Sequence, residues 1–125
     1  MSIRVLIADD HAIVRDGVRA LLALSEDITV VGEAANGQQA VELAGQLQPD
    51  VVLMDGSMPG MDGSQATQAS RTVYPPIQVI GLSMFDDTEQ AQRMRDAGAD
   101  DYVAKSSATE VLLVAIRACA GRSDE

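Results

Sequence analysis

The stretch "VVLMDGSMPGMDG", Val51 to Gly63, decides the reading of this chain. Four apolar residues end abruptly in a carboxylate, Asp55, and a loop carrying glycine, proline and a second acid, Asp62, follows. A short Val-rich run bounded by turn residues reads as a fully buried strand. A carboxylate at the tip of such a strand needs a reason, and the rest of the chain supplies one.

Four further runs resemble it: "IRVLIA" (Ile3–Ala8), "ITVVGEA" (Ile28–Ala34), "QVIGLS" (Gln78–Ser83) and "DYVA" (Asp101–Ala104). Helical spacing fills the intervals. Val14, Val18, Leu21 and Leu22 share one face, as do Ala40, Val41, Leu43, Ala44 and Leu47. Leu112, Ala115, Ile116 and Cys119 make a third such face. The Thr88–Ala97 stretch is the weakest helix, with only Ala91, Met94 and Ala97 on its apolar side, and so should be the easiest to move. Asn36-Gly37, Pro49, Pro75-Pro76 and Gly98 punctuate these segments. Five strand–helix alternations predict an α/β fold, a doubly wound parallel sheet with helices on both faces. One common strand order is 2-1-3-4-5, with a ligand crevice at the C-terminal ends of strands 1 and 3.

The chain has 125 residues, enough for one domain with one core, and only 2% aromatics, so that core must be aliphatic. The domain is expected over 1–121, with 122–125 as a tail or the start of a linker. A net charge of −10 argues against direct nucleic-acid binding by this segment. No apolar run approaches the roughly 20 residues that span a bilayer. The lone Cys119, on an apolar helical face, excludes an internal disulfide and suits a structural place in a cytoplasmic protein. Of nine basic residues, only Lys105 is a lysine.

In the 2-1-3-4-5 order, Asp9 and Asp10 at the end of the first strand meet Asp55 at the end of the third. Two carboxylates about 4 Å apart repel by roughly 4 kcal/mol at an effective dielectric near 20. A hard divalent cation relieves that repulsion, and Mg²⁺ suits oxygen ligands with retained waters. Ser83 ends the fourth strand and Lys105 follows the fifth, which brings a hydroxyl and a compact cation to the same mouth. Acids, a metal, a hydroxyl and an ammonium are the layout of phosphoryl transfer, and an Asp carboxylate is a known acceptor. His11, the only histidine, is expected to flank the site in a structural role.

"ADDH" after the first strand, "LMDGSMPGMDG" after the third, "GLS" at the end of the fourth and "YVAKS" at the fifth together resemble the receiver domain of two-component response regulators. The resemblance covers essentially the whole chain. "DDHAIVRDGVRALL", "VVGEAANGQQAVELA" and "AGADDYVAKS" are closer to the NarL/FixJ branch than to chemotaxis receivers, and "GLSMF" with "AIRAC" is also similar to receivers of hybrid sensor kinases. The resemblance implies that Asp55 accepts a phosphoryl group from a sensor histidine kinase or phosphotransfer domain. It implies that Asp10, Asp55 and the Ser57 backbone carbonyl ligate Mg²⁺ (or Mn²⁺), with Asp9 acting through water. Lys105 and Ser83 would contact the phosphoryl group, Tyr102 would change rotamer with Ser83, and Pro59 and Gly63 would shape the loop. The altered surface would be that of the fourth helix, fifth strand and fifth helix. It would control an output domain (helix-turn-helix or kinase) outside this chain, with a phosphorylation-dependent dimer as one consequence.

Three positions depart from the pattern. Gly56 follows the acceptor where an apolar residue is usual, and so should loosen the loop. Ser106 stands where chemotaxis receivers have proline, and Asp101 where glycine is frequent. Two alternatives remain beside the phosphorylated switch. One is a receiver-like interaction module that is never phosphorylated. The other is an aspartyl-phosphate phosphatase similar to haloacid-dehalogenase-type enzymes, for which the chain lacks both Asp-x-Asp and a cap insertion. A flavodoxin-like or Walker-type phosphate loop is absent. No turnover of a small substrate is expected.

Overall fold

A computed structural model of the chain describes residues 2–83, 88–104 and 109–123. Strands β1 (Ile3–Ala8), β2 (Ile28–Ala34), β3 (Val51–Asp55), β4 (Gln78–Ser83) and β5 (Asp101–Ala104) alternate with helices α1 (Ala12–Leu22), α2 (Gly37–Leu47), α3 (Gly63–Val73), α4 (Thr88–Asp96) and α5 (Thr109–Ser123). The strands form one parallel sheet in the order β2-β1-β3-β4-β5, as expected. The order reverses between β1 and β3, which opens the crevice at the ends of these two strands. Helix α5 continues through Gly121–Ser123, beyond the limit expected for the domain.

The two-residue pleat divides the apolar side chains between two layers. Val5, Ile7, Val51, Leu53, Ile80, Leu82 and Val103 pack with Leu22 of α1 and with Leu112, Ala115, Ile116 and Cys119 of α5. Leu6, Ala8, Val52, Met54 and Val79 pack with Ala40 and Ala44 of α2, Ala66 of α3 and Met94 of α4. Cys119 is fully buried, in keeping with a packing role. No helix among the described residues is long and apolar enough to cross a membrane.

Helix ends follow local chemistry. The Asn36 side chain caps α2 by accepting from the Gln39 N–H, and α2 stops at Gln48 in the left-handed region (φ 48°), just before Pro49. Asp62, the second acid of the opening stretch, has a structural task. It caps α3 in a reciprocal box in which its carboxylate accepts from the Gln65 N–H at 2.9 Å and the Gln65 side chain accepts from the Asp62 N–H at 3.1 Å. Such caps are worth about 1 kcal/mol each.

The far end of α4 is tied down by Arg71. Its guanidinium donates to the Gly98 carbonyl at 2.6 Å, to the Ile77 carbonyl at 3.0 Å and to both Asp100 oxygens at 2.8 and 2.7 Å. Asp100 also accepts from the Val79 N–H at 2.8 Å. One side chain of α3 thus fixes where α4 ends, where β4 starts and where β5 begins. Gly98 adopts φ +111°, a conformation side chains rarely take, and a Cβ there would press on Arg71 Cδ at 2.8 Å.

Candidate functional site

The site is assembled from strand ends. Asp9 directly follows β1 and is fully buried, and Asp55 is the last residue of β3, 4% exposed. Buried apolar strands fix both backbones, so neither carboxylate can be withdrawn into solvent without unpairing the sheet. The Asp9 N–H donates to the Ala34 carbonyl at 3.0 Å, extending the β1–β2 pairing one residue past the strand. Arg15 Nη1 of α1 donates to the Asp9 carbonyl at 2.5 Å, and Arg15 Nε lies 3.3 Å from Glu33. The start of α1 is therefore pinned to the edge of the crevice.

Asp9, Asp10, His11 and Asp55 form one cluster, each offering a ligand atom, all within 4.8 Å of one another. Asp10 Oδ1 is buried and takes no hydrogen bond from any described residue. Burying a carboxylate oxygen without a hydrogen bond is costly, and a hard cation lowers that cost. The oxygen-rich donor set fits such a cation, with Asp9, Asp10 and Asp55 as its holders. The sequence placed these three acids together, and the fold does bring them together. It did not anticipate the reach of His11, whose Nδ1 lies 3.3 Å from Asp9 and 3.2 Å from Asp10. The only available signal was its place beside the acid pair.

The β3–α3 loop closes over Asp55. The Ser57 N–H donates to Asp55 Oδ1 at 3.2 Å, and the Gly56 N–H donates to the Leu82 carbonyl at 3.1 Å. Gly63 begins α3 so close beneath the loop that a Cβ would overlap the Asp55 carbonyl oxygen and lie 2.6 Å from Gly56 Cα. This contact gives Gly63 its part in shaping the loop. Pro59 lies on the exposed outer part of the same loop.

On the β4 side, Asp55 pairs with Leu82, so Ser83 sits one residue beyond that partner, 4% exposed, and opposite Ala104 of β5. Tyr102 lies on the α4 face of the sheet, packed over Gly81, where a Cβ would meet the ring at 2.5 Å. Its hydroxyl donates to Gln90 Oε1 of α4 at 2.8 Å. Gln90 Nε2 in turn donates to Ser57 Oγ at 2.6 Å. Lys105, and the peptide bond it shares with Ser106, lie outside the described residues.

Gln90 escaped the sequence reading, and so did the reason for Gly56. A Cβ at Gly56 would lie 2.6 Å from Gln90 Cδ. The glycine leaves room for the amide, and the amide in turn covers and holds the loop.

Comparisons with known proteins agree with this architecture. Residues 5–117 match the family model of the response regulator receiver domain. The response regulator protein VraR of Staphylococcus aureus is 40% identical over 117 residues, which cover 94% of this chain and 56% of that protein. The chain thus spans about half the length of the curated relatives it matches. Among solved structures, the signal receiver domain of a NarL response regulator from Mycobacterium tuberculosis superposes with a TM-score of 0.90 at 38% identity, covering 96% of this chain and 97% of that one. A LuxR-family two-component response regulator from Aurantimonas sp. SI85-9A1 gives a TM-score of 0.91 at 35% identity, over 97% of this chain and 86% of that one. With its acid-lined crevice at the β1–β3 switch point, the chain belongs to the receiver domain family of response regulators, on the NarL/LuxR side.

Proposed function

We propose that Asp55 accepts a phosphoryl group from a phosphohistidine of a sensor kinase or phosphotransfer domain. The observation that carries this reading is the buried Asp55 carboxylate at the end of β3, within one 4.8 Å cluster with Asp9 and Asp10. In the reaction, an Asp55 carboxylate oxygen attacks phosphorus. A P–O bond forms as the P–N bond breaks, and the imidazole nitrogen leaves with the electron pair. The product is an acyl phosphate on Asp55.

Bound Mg²⁺ (or Mn²⁺) would neutralise charge on the transferring oxygens. Asp10, Asp55 and the Ser57 carbonyl would hold it, with Asp9 acting through water. The protein's own contribution is placement. The Ser57 N–H fixes one oxygen of Asp55, and Gly63 lets α3 hold the loop against the acceptor. Ser83 would donate its hydroxyl to a phosphoryl oxygen and Lys105 its ammonium. Those contacts would shift Tyr102 and alter the surface of α4, β5 and α5. A bound phosphoryl group adds about −1.5 to −2 charges, enough to bias two arrangements that differ by a few kcal/mol.

The altered surface would control an output domain beyond residues 121–125, of helix-turn-helix or kinase type, in the cytoplasm, with dimerisation as one route of control. The domain itself would not turn over a small substrate. Intact mass measurement with Mg²⁺ and acetyl phosphate tests the reading. A labile, Mg²⁺-dependent adduct lost in Asp55→Asn is expected. Absence of the adduct with the cation bound would instead favour an interaction module.

A further inference from the structure

Four residues form an unbroken hydrogen-bonded path from the acceptor to the far side of the sheet. Asp55 Oδ1 accepts from the Ser57 N–H at 3.2 Å, and Ser57 Oγ accepts from Gln90 Nε2 at 2.6 Å. Gln90 Oε1 accepts from the Tyr102 hydroxyl at 2.8 Å. The two ends of one amide thus face opposite ways, the donor toward the acceptor loop and the acceptor toward β5. The amide reaches the loop only because position 56 has no side chain: a Cβ there would sit 2.6, 2.8 and 3.0 Å from Gln90 Cδ, Nε2 and Oε1. Helix α4, which carries Gln90, is anchored in the core only through Ala91 and Met94 among its described residues. A polar link near its N-terminal end therefore has little apolar packing to compete with.

We propose that the Gln90 amide is a positioning link that ties the acceptor loop to Tyr102 in the unphosphorylated arrangement, and that Gly56 is glycine to admit it. The proposal rests on the acceptor reading of Asp55. A phosphoryl group on Asp55 competes for the Ser57 N–H and displaces the loop. Ser57 Oγ then leaves Gln90, and the Tyr102 hydroxyl gives up its bond to Gln90 Oε1. The link accordingly favours the resting state, and its removal should make switching easier.

Tyr74 and Tyr102 are the two tyrosines of the chain. In a Tyr74→Phe background, 3-fluorotyrosine places a single ¹⁹F reporter at Tyr102. Beryllofluoride with Mg²⁺, which stands in for a phosphoryl group on a carboxylate, is then titrated into the full chain. Gln90→Met keeps length and removes both hydrogen bonds. At the usual net worth of such bonds, the half-saturating beryllofluoride concentration should fall by about tenfold. The ¹⁹F resonance of the free variant should move toward that of the beryllofluoride-bound parent.

Gly56→Ala should displace the same ¹⁹F resonance in the same direction by pushing the amide away, and should add nothing in a Gln90→Ala background. It serves as an independent route if Gln90→Met does not fold. An unchanged or higher half-saturating concentration in Gln90→Met overturns the proposal, as does an additive effect of Gly56→Ala and Gln90→Ala. If the parent neither responds to beryllofluoride nor forms an acetyl phosphate adduct, the acceptor reading fails and the link falls with it. A parent that responds, beside a Gln90→Met variant that matches it, removes the link alone.

Discussion

The two sides of the crevice are built to different standards. On the β1–β3 side, Val5 to Asp9 and Val51 to Met54 are fully buried, and Arg15 locks the start of α1 onto Asp9. On the β4–β5 side, the sheet ends in the four residues of β5, and α4 sends only Ala91 and Met94 into the core among its described residues. The charged cluster sits on the first side, whereas Tyr102 and Gln90 sit on the second. The contrast matches a division of labour. Closely spaced carboxylates must be held in one geometry, and a response element must have two arrangements of similar free energy. Sparse apolar packing on one side supplies the second property without weakening the first.

The largest expected effect comes from attacking the packed side. Leu53→Ala removes a fully buried side chain at the centre of β3 and should cost about 2–5 kcal/mol of global stability, read as a drop in urea midpoint. The placement of the Asp55 carboxylate should fail with it, since Asp55 lies two residues on. A local loss confined to α4 would break the contrast.

Arg71→Ala tests a strong tie on the other side. It removes the bonds to Gly98, Ile77 and Asp100. Because Arg71 and Asp100 are 28% and 19% exposed, the expected loss is about 1–2 kcal/mol, below that of a fully buried pair. Amide exchange should accelerate chiefly in α4 and at the start of β5. Equal acceleration in β1 and β3 would show that the two sides are not separable.

How far these sides could be read from sequence differs in the same way. The packed side was legible because buried strands announce themselves in Val- and Ile-rich runs. Four of the five strand ranges agree with the structure and the third runs one residue further, to Asp55 itself; the acids follow from strand ends plus strand order. The Arg71 clasp was not legible, since it joins Arg71 to the Gly98 carbonyl 27 positions on and to the Asp100 carboxylate 29 positions on, and no local pattern links them. The neighbour of Gly56 was hidden for a similar reason. That neighbour is Gln90, 34 positions later on another element, and no local pattern links the two. His11 was correctly placed beside the acids, but its ring reaches both of them only through the backbone turn at the end of β1, where its own N–H donates to Asp9 at 2.9 Å.

The smallest effect should come from the exposed pair of Asp27, before β2, and Arg117 of α5, at 2.8 and 3.0 Å. The hydrogen bond from Arg117 holds the Asp27 carboxyl below the usual carboxylate range. A lowered folded-state pKa contributes stability that is fully present above the unfolded value and is lost as pH falls through the folded one. Arg117→Ala should therefore lower the urea midpoint slightly at neutral pH, and the two proteins should converge in acid as Asp27 protonates. A difference that persists or grows in acid would mean that Arg117 acts through packing of α5 instead.

Hydrogen exchange on the full chain, with Mg²⁺ and with or without acetyl phosphate, tests the account most directly. The account predicts that acetyl phosphate changes protection in α4 and β5 and in the loop from Gly56 to Asp62. Ile3–Ala8 and Val51–Met54 should stay as they were, and every change should vanish in Asp55→Asn. Changes spread evenly over both sides of the sheet, or changes that survive in Asp55→Asn, would contradict it.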